Sequence, residues 1–173
     1  MNNQEKLELV LPSEKYKESF LNVFNEYTGD EIKDHFNLSK FDPDFSKFLE
    51  NLKNEREGKY LKEGYVPQTI YWLVKGDRFI GRVGIRHKLT EKLKIVGGHL
   101  GYAIRPSERG KGYGSLALTL GLPKAKELGL DSVLITCKST NIASKKIIEK
   151  HGGVFEGLTP FEDADMLRYW VKT

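Results

Sequence analysis

The stretch His99-Leu-Gly-Tyr-Ala-Ile-Arg-Pro-Ser-Glu-Arg-Gly-Lys-Gly-Tyr-Gly-Ser115 decides the fold of this 173-residue chain. It reads as a strand, a glycine-rich turn and the start of a helix. Leu100, Tyr102 and Ile104 alternate with His99, Gly101, Ala103 and Arg105, and Pro106 then ends the ladder by removing a donor. Gly110, Gly112 and Gly114 follow at alternate positions, so consecutive backbone N–H groups can turn inward without Cβ crowding and cradle an anion. The helix beginning there adds its positive dipole end, with Arg109 and Lys111 supplying full charges for a pyrophosphate. The competing reading is a tight connection with no ligand.

Two nucleotide motifs are excluded. Gly110-x-Gly112 is followed by Ser115 where a dinucleotide fingerprint needs glycine, and no Gly-Lys-Ser/Thr occurs. Downstream stands a second element, Asn141-Ile-Ala-Ser144, whose helix ends in Glu149-Lys-His-Gly-Gly153. Arg109, Gly112 and Gly114 match the Arg/Gln-x-x-Gly-x-Gly/Ala loop of the GNAT superfamily of acetyl-CoA-dependent N-acetyltransferases, and the second element resembles that family's Asn-x-x-Ala/Ser helix. Together they cover residues 99–157. Val66-Pro67 and Gly97-Gly98-His99 resemble a bacterial branch of the superfamily.

The resemblance implies an α/β (α+β) fold: a mixed, mostly antiparallel central sheet flanked by helices, with strands 4 and 5 parallel and splayed. It also implies acetyl-CoA as cofactor. Arg109, Gly110, Lys111, Gly112, Tyr113 and Gly114 would lie at the pyrophosphate and Asn141 at the pantetheine arm, with Ser144 and Lys145 secondary. The pantetheine would pair with the strand edge at Ala103 and Ile104, and backbone N–H groups there would stabilise the oxyanion. Asn141 is equally an ordinary helix N-cap.

Acetyl transfer to an amine needs the neutral amine. At a reference pKa near 10.4 that form is about one molecule in 2,500 at pH 7, worth about 4.6 kcal/mol. His99 stands on the strand where the family often carries a glutamate base; it is the candidate base, or else it only hydrogen-bonds a neighbouring segment. Many members place a tyrosine seven residues after the asparagine, where this chain has Ile148. The thiolate then leaves unaided, or the hydroxyl of Tyr102 or Tyr113 reaches it. Cys137, a lone cysteine in an apolar run, reads as packing rather than as a nucleophile.

Composition agrees with one N-acetyltransferase domain over residues 1–173. Thirty-nine per cent hydrophobic residues suffice for a core, and the single cysteine and the absence of a leader or a long apolar run predict a cytoplasmic protein off the membrane. Four scattered histidines lack metal spacing. The net charge of +4 comes from 28 basic and 24 acidic residues interspersed, which argues against nucleic acid.

Periodicity predicts a strand at Leu7–Leu11, a helix over 14–27 stopping at Gly29, and a second helix capped by Asp42 with Pro43 in its first position. Between them, Glu31, Asp34 and His35 are candidates for acceptor contact. A hairpin spans 68–75 and 78–86 around Gly76-Asp77, and Pro123 is expected to kink or break the helix that begins near Ser115. Val133–Cys137 reads as a buried strand parallel to 100–105, and 154–157 with 165–172 as an antiparallel pair that offers a homodimer surface. The function expected is transfer of an acetyl group to a primary amine of a small molecule, amino acid or peptide. The alternative is a non-catalytic acyl-CoA sensor.

Overall fold

The computed structural model describes residues 6–27, 41–162 and 164–173. Its strands form two sheets. β1 (Leu7–Val10), β2 (Gln68–Lys75), β3 (Arg78–Arg86) and β4 (Leu100–Ile104) make an antiparallel meander, while β5 (Ser132–Lys138), β6 (Val154–Phe161) and β7 (Ala164–Lys172) make a second antiparallel sheet in the order β5-β7-β6. The hairpin falls at the expected residues, and Gly76 takes φ 58° in its turn.

β2 is buried on both faces, which is why its sequence is a continuous apolar run instead of an alternation. On one face Leu73, Val83, Ile85, Leu100 and Ile104 pack with Ala117, Leu118 and Ala125 of helix α4 (Tyr113–Glu127). On the other lies an aromatic cluster, in which Phe20 stacks on Trp72 at 4.7 Å between ring centroids, with Phe45, Phe48 and Phe79 around them. Each such side chain removed from water contributes roughly 1.5–3 kcal/mol.

Several elements depart from expectation. The single helix over 14–27 is three short pieces: a 3-10 turn at Glu14–Tyr16, α1 (Lys17–Leu21) and a 3-10 turn at Asn22–Glu26. The tighter winding stacks residues three apart, and Phe20 and Val23 both reach the core. The predicted stop at Gly29 lies outside the described residues. Helix α2 (Phe45–Arg56) is capped by Asp44, whose carboxylate accepts from Ser46 N–H and Lys47 N–H, and not by Asp42. Between β3 and β4 the chain forms the short helix α3 (Glu91–Ile95), capped by Thr90.

α4 runs through Pro123 without a break. Gly121 and Ala125, two residues to either side of the proline, are buried, and a Cβ at Gly121 would stand 3.1 Å from Val83 Cγ1, so packing outweighs the one missing bond. β4 and β5, expected to lie parallel and splayed, belong to separate sheets and share no ladder. β5 pairs with β7, and β4 meets it through His99, which splits its backbone between the sheets. Its N–H donates to Leu134 O at 2.7 Å and its O accepts from Arg86 N–H at 2.8 Å. Beyond that point β4 and β5 diverge into separate sheets.

Candidate functional site

The gap left by this divergence is closed at one end by the glycine turn and along one side by helix α5 (Ile142–Lys150). After β4, Pro106–Glu108 form a 3-10 turn, and Gly110 and Gly112 take φ 76° and 84°. Gly112 caps α4 without any side chain, so the first-turn N–H groups open toward the gap. A Cβ at Gly110 or Gly112 would meet nothing within 4 Å; what demands glycine there is the left-handed backbone. Asn141 caps α5 with its Oδ1, which accepts from Ser144 N–H at 3.0 Å.

These elements enclose a cavity of about 480 Å³. It brings together Ala103, Ile104, Arg109, Gly110, Gly112, Tyr113, Gly114, Asn141 and Ser144 from the sequence-derived set. Lys111 and Lys145 do not line it. Lys111 Nζ donates to Ser107 O and to Glu108 Oε2 at 2.9 and 3.0 Å, and Lys145 faces Glu149 at 4.0 Å. The walls also include Tyr102, Glu108, Ser115, Ala143 and Ile147. Ile147 was legible from helical spacing, three residues after Ser144.

The edge of β4 supplies the polar part of one wall. Bonds from Arg86 N–H to His99 O and from Arg105 N–H to Ile80 O turn the carbonyl of His99, the backbone of Gly101 and Ala103 and the N–H of Arg105 toward β3. The backbone groups of Leu100, Tyr102 and Ile104 therefore face away from β3, and Ile104 O accepts from Arg109 Nε at 3.1 Å. The free-edge donors are thus Tyr102 and Ile104, whereas the Ala103 N–H belongs to the β3 ladder. Tyr102 also reaches across the cavity, its Oη 2.9 Å from Ser144 Oγ. Burial pushes its phenol above the ordinary value, against the opposing effect of the hydrogen bond shared with Ser144. Ile148 is fully buried in the core.

Arg109 is braced by its neighbours. Its Nη2 donates to Tyr27 Oη at 2.9 Å and its guanidinium lies 5.6 Å from the centre of that ring. His99 stands outside the cavity and is 8% exposed; its Nδ1 accepts from Leu134 N–H at 3.0 Å, so the neutral ring carries its proton on Nε2. Burial, assisted by Arg86, holds its pKa below the usual histidine value. Cys137 is buried and its thiol is pushed up by burial. Glu31, Asp34 and His35 lie outside the described residues.

The family model of the acetyltransferase (GNAT) domain matches residues 19–154. The chain belongs to this family. It is a GNAT acetyltransferase, a class that uses acetyl-CoA, and the fold agrees with solved GNAT structures. The Salmonella typhimurium acetyl transferase that modifies the N-terminal serine of a 50S ribosomal subunit protein is 16% identical, with 96% of this chain and 95% of that one covered at a TM-score of 0.63. The microcin self-immunity acetyltransferase MccE, in complex with acetyl-CoA and AMP, is 17% identical over 98% and 93% at 0.65. A GNAT acetyltransferase from Streptococcus pneumoniae is 20% identical over 96% and 98% at 0.63. Among curated proteins none matches the chain by sequence. Among the described residues no helix is long and apolar enough to cross a membrane.

Proposed function

We propose that this GNAT protein transfers an acetyl group from acetyl-CoA to a primary amine of a small molecule, amino acid or peptide, by direct attack. The observation that carries this is the 480 Å³ cavity in which the free edge of β4, the glycine turn and the first turn of α5 converge. Acetyl-CoA, when bound, supplies the activated thioester. The first-turn N–H groups of α4 would hold its pyrophosphate, and the amide of Asn141 would serve the pantetheine arm.

Tyr102 N–H and Ile104 N–H, unlaid by any ladder, are the donors for a developing oxyanion. Tyr102 Oη holds a proton for the departing thiolate, and the proton that the attacking nitrogen sheds to solvent restores the phenol; Ser144 Oγ fixes its position one helical turn before Ile148 on the same face of α5. The buried, raised thiol of Cys137 favours direct attack over an acyl-cysteine route. With its Nδ1 lone pair engaged, His99 holds the two sheets together and is not assigned the amine's proton.

The test is free-thiol release from acetyl-CoA across a panel of amino acids, polyamines and peptides. Peptides with N-terminal serine are included, since the Salmonella protein of similar fold modifies one. Amine-dependent release is expected. If the protein binds neither CoA nor acetyl-CoA in calorimetric titration, the reading fails.

A further inference from the structure

Glu26 does not line the cavity, yet its carboxylate is bonded along the whole approach to the glycine turn. Oε1 accepts from Arg105 Nε at 2.8 Å, from Arg105 Nη2 and from Ser107 Oγ at 3.0 Å, and Oε2 accepts from Ser107 N–H at 3.1 Å. Arg105 is 6% exposed and donates its Nη1 to Phe79 O at 2.9 Å, so the carboxylate is anchored to β3 as well. The next residue, Tyr27, receives Arg109 Nη2. Two consecutive residues thus grip positions 105, 107 and 109, the alternate residues that lead into Gly110 and Gly112.

We propose that Glu26 is the positioning residue of the pyrophosphate loop. It sets the orientation of the N–H groups at the start of α4 without touching the cofactor. This rests on the cofactor reading above. The chemistry requires a carboxylate, because all four bonds come from donors. Glu26→Gln replaces one acceptor oxygen with a donor NH2 that must face Ser107 N–H or the Arg105 guanidinium, and at least one bond breaks. The loop then loses a fixed approach to Gly112 while the cavity's other walls, β4 and α5, keep their own contacts.

That division of labour sets the test. Wild type, Glu26→Gln and Ser107→Ala are titrated with CoA by calorimetry and with pantetheine, which lacks the pyrophosphate, by NMR; thermal unfolding is recorded for each. Glu26→Gln is expected to weaken CoA about tenfold and to leave pantetheine within about twofold. Ser107→Ala, which removes only the hydroxyl bond, is expected to weaken CoA by about threefold. An unchanged CoA affinity in Glu26→Gln overturns the proposal, as does an equal loss for CoA and pantetheine, which would mean general damage to the fold. If Glu26→Gln does not fold, Ser107→Ala decides on the same two ligands. A wild-type protein that binds no CoA overturns the cofactor reading together with this one.

Discussion

His99 and Leu134 hold each other by two hydrogen bonds of opposite sense: His99 N–H donates to Leu134 O, and Leu134 N–H donates to His99 Nδ1. Through this pair the two sheets stay joined where their strands begin to part. His99→Ala strands the Leu134 N–H in a buried place and should cost about 1–3 kcal/mol. The pH dependence follows from the ring's depressed pKa. Because the unfolded chain takes up the proton first, the stabilisation is fully present above about pH 6.5 and is lost as pH falls through the folded value. Urea denaturation at pH 8 and pH 5 should therefore show the gap between wild type and His99→Ala narrowing at the lower pH. A constant gap would remove the ring from this role.

Gly98, just before the junction, has φ 58°, and a Cβ there would stand 2.3 Å from Leu134 O. Gly98→Ala combines a left-handed alanine, about 1–2 kcal/mol, with a backbone clash of about 1–3 kcal/mol. Loss of about 3 kcal/mol is expected by chemical denaturation. A loss below about 1 kcal/mol would mean that the sheets can separate here at little cost.

Tyr102→Phe keeps the ring that lines the cavity and removes the hydroxyl that meets Ser144. In the proposed reaction kcat should fall about 100-fold with little change in the KM for acetyl-CoA. Since burial raises the Tyr102 pKa above its ordinary value, the wild-type rate should show no alkaline decline below about pH 10. A kcat within about threefold of wild type would mean that the thiolate leaves unaided.

Gly112→Glu places an anion in the cradle. No atom lies within 4 Å of its Cβ position, so the substitution should cost only the φ 84° strain, about 1–2 kcal/mol. CoA affinity should fall about 100-fold or more in calorimetric titration. Retained affinity would place the pyrophosphate elsewhere.

The turn chemistry of residues 106–114, the hairpin at Gly76-Asp77 and the Asn141 cap were legible because each is a local matter of donors, acceptors and positive φ. The roles of charged residues were not. Arg109 and Lys111 read as free cations for a phosphate, yet Tyr27 and Ile104 brace the first and Glu108 neutralises the second. Tyr27 stands 82 residues before Arg109, beyond the reach of any local pattern. Pro123 misled for the opposite reason: a local helix-breaking rule was overridden by contacts with β3 and β4.

The sequence by itself determined the strand, turn and helix order around His99–Ser115, the glycines that a left-handed backbone requires and the family to which they point. Only the tertiary structure decided that β4 and β5 part at His99, that Tyr102 and Ile104 rather than Ala103 present free backbone, and that Glu26 grips the loop. The first set depends on bonds between near neighbours and on backbone sterics, which a few residues specify. The second depends on which of many compatible donors and acceptors are carried together when two cores close on opposite faces of one sheet.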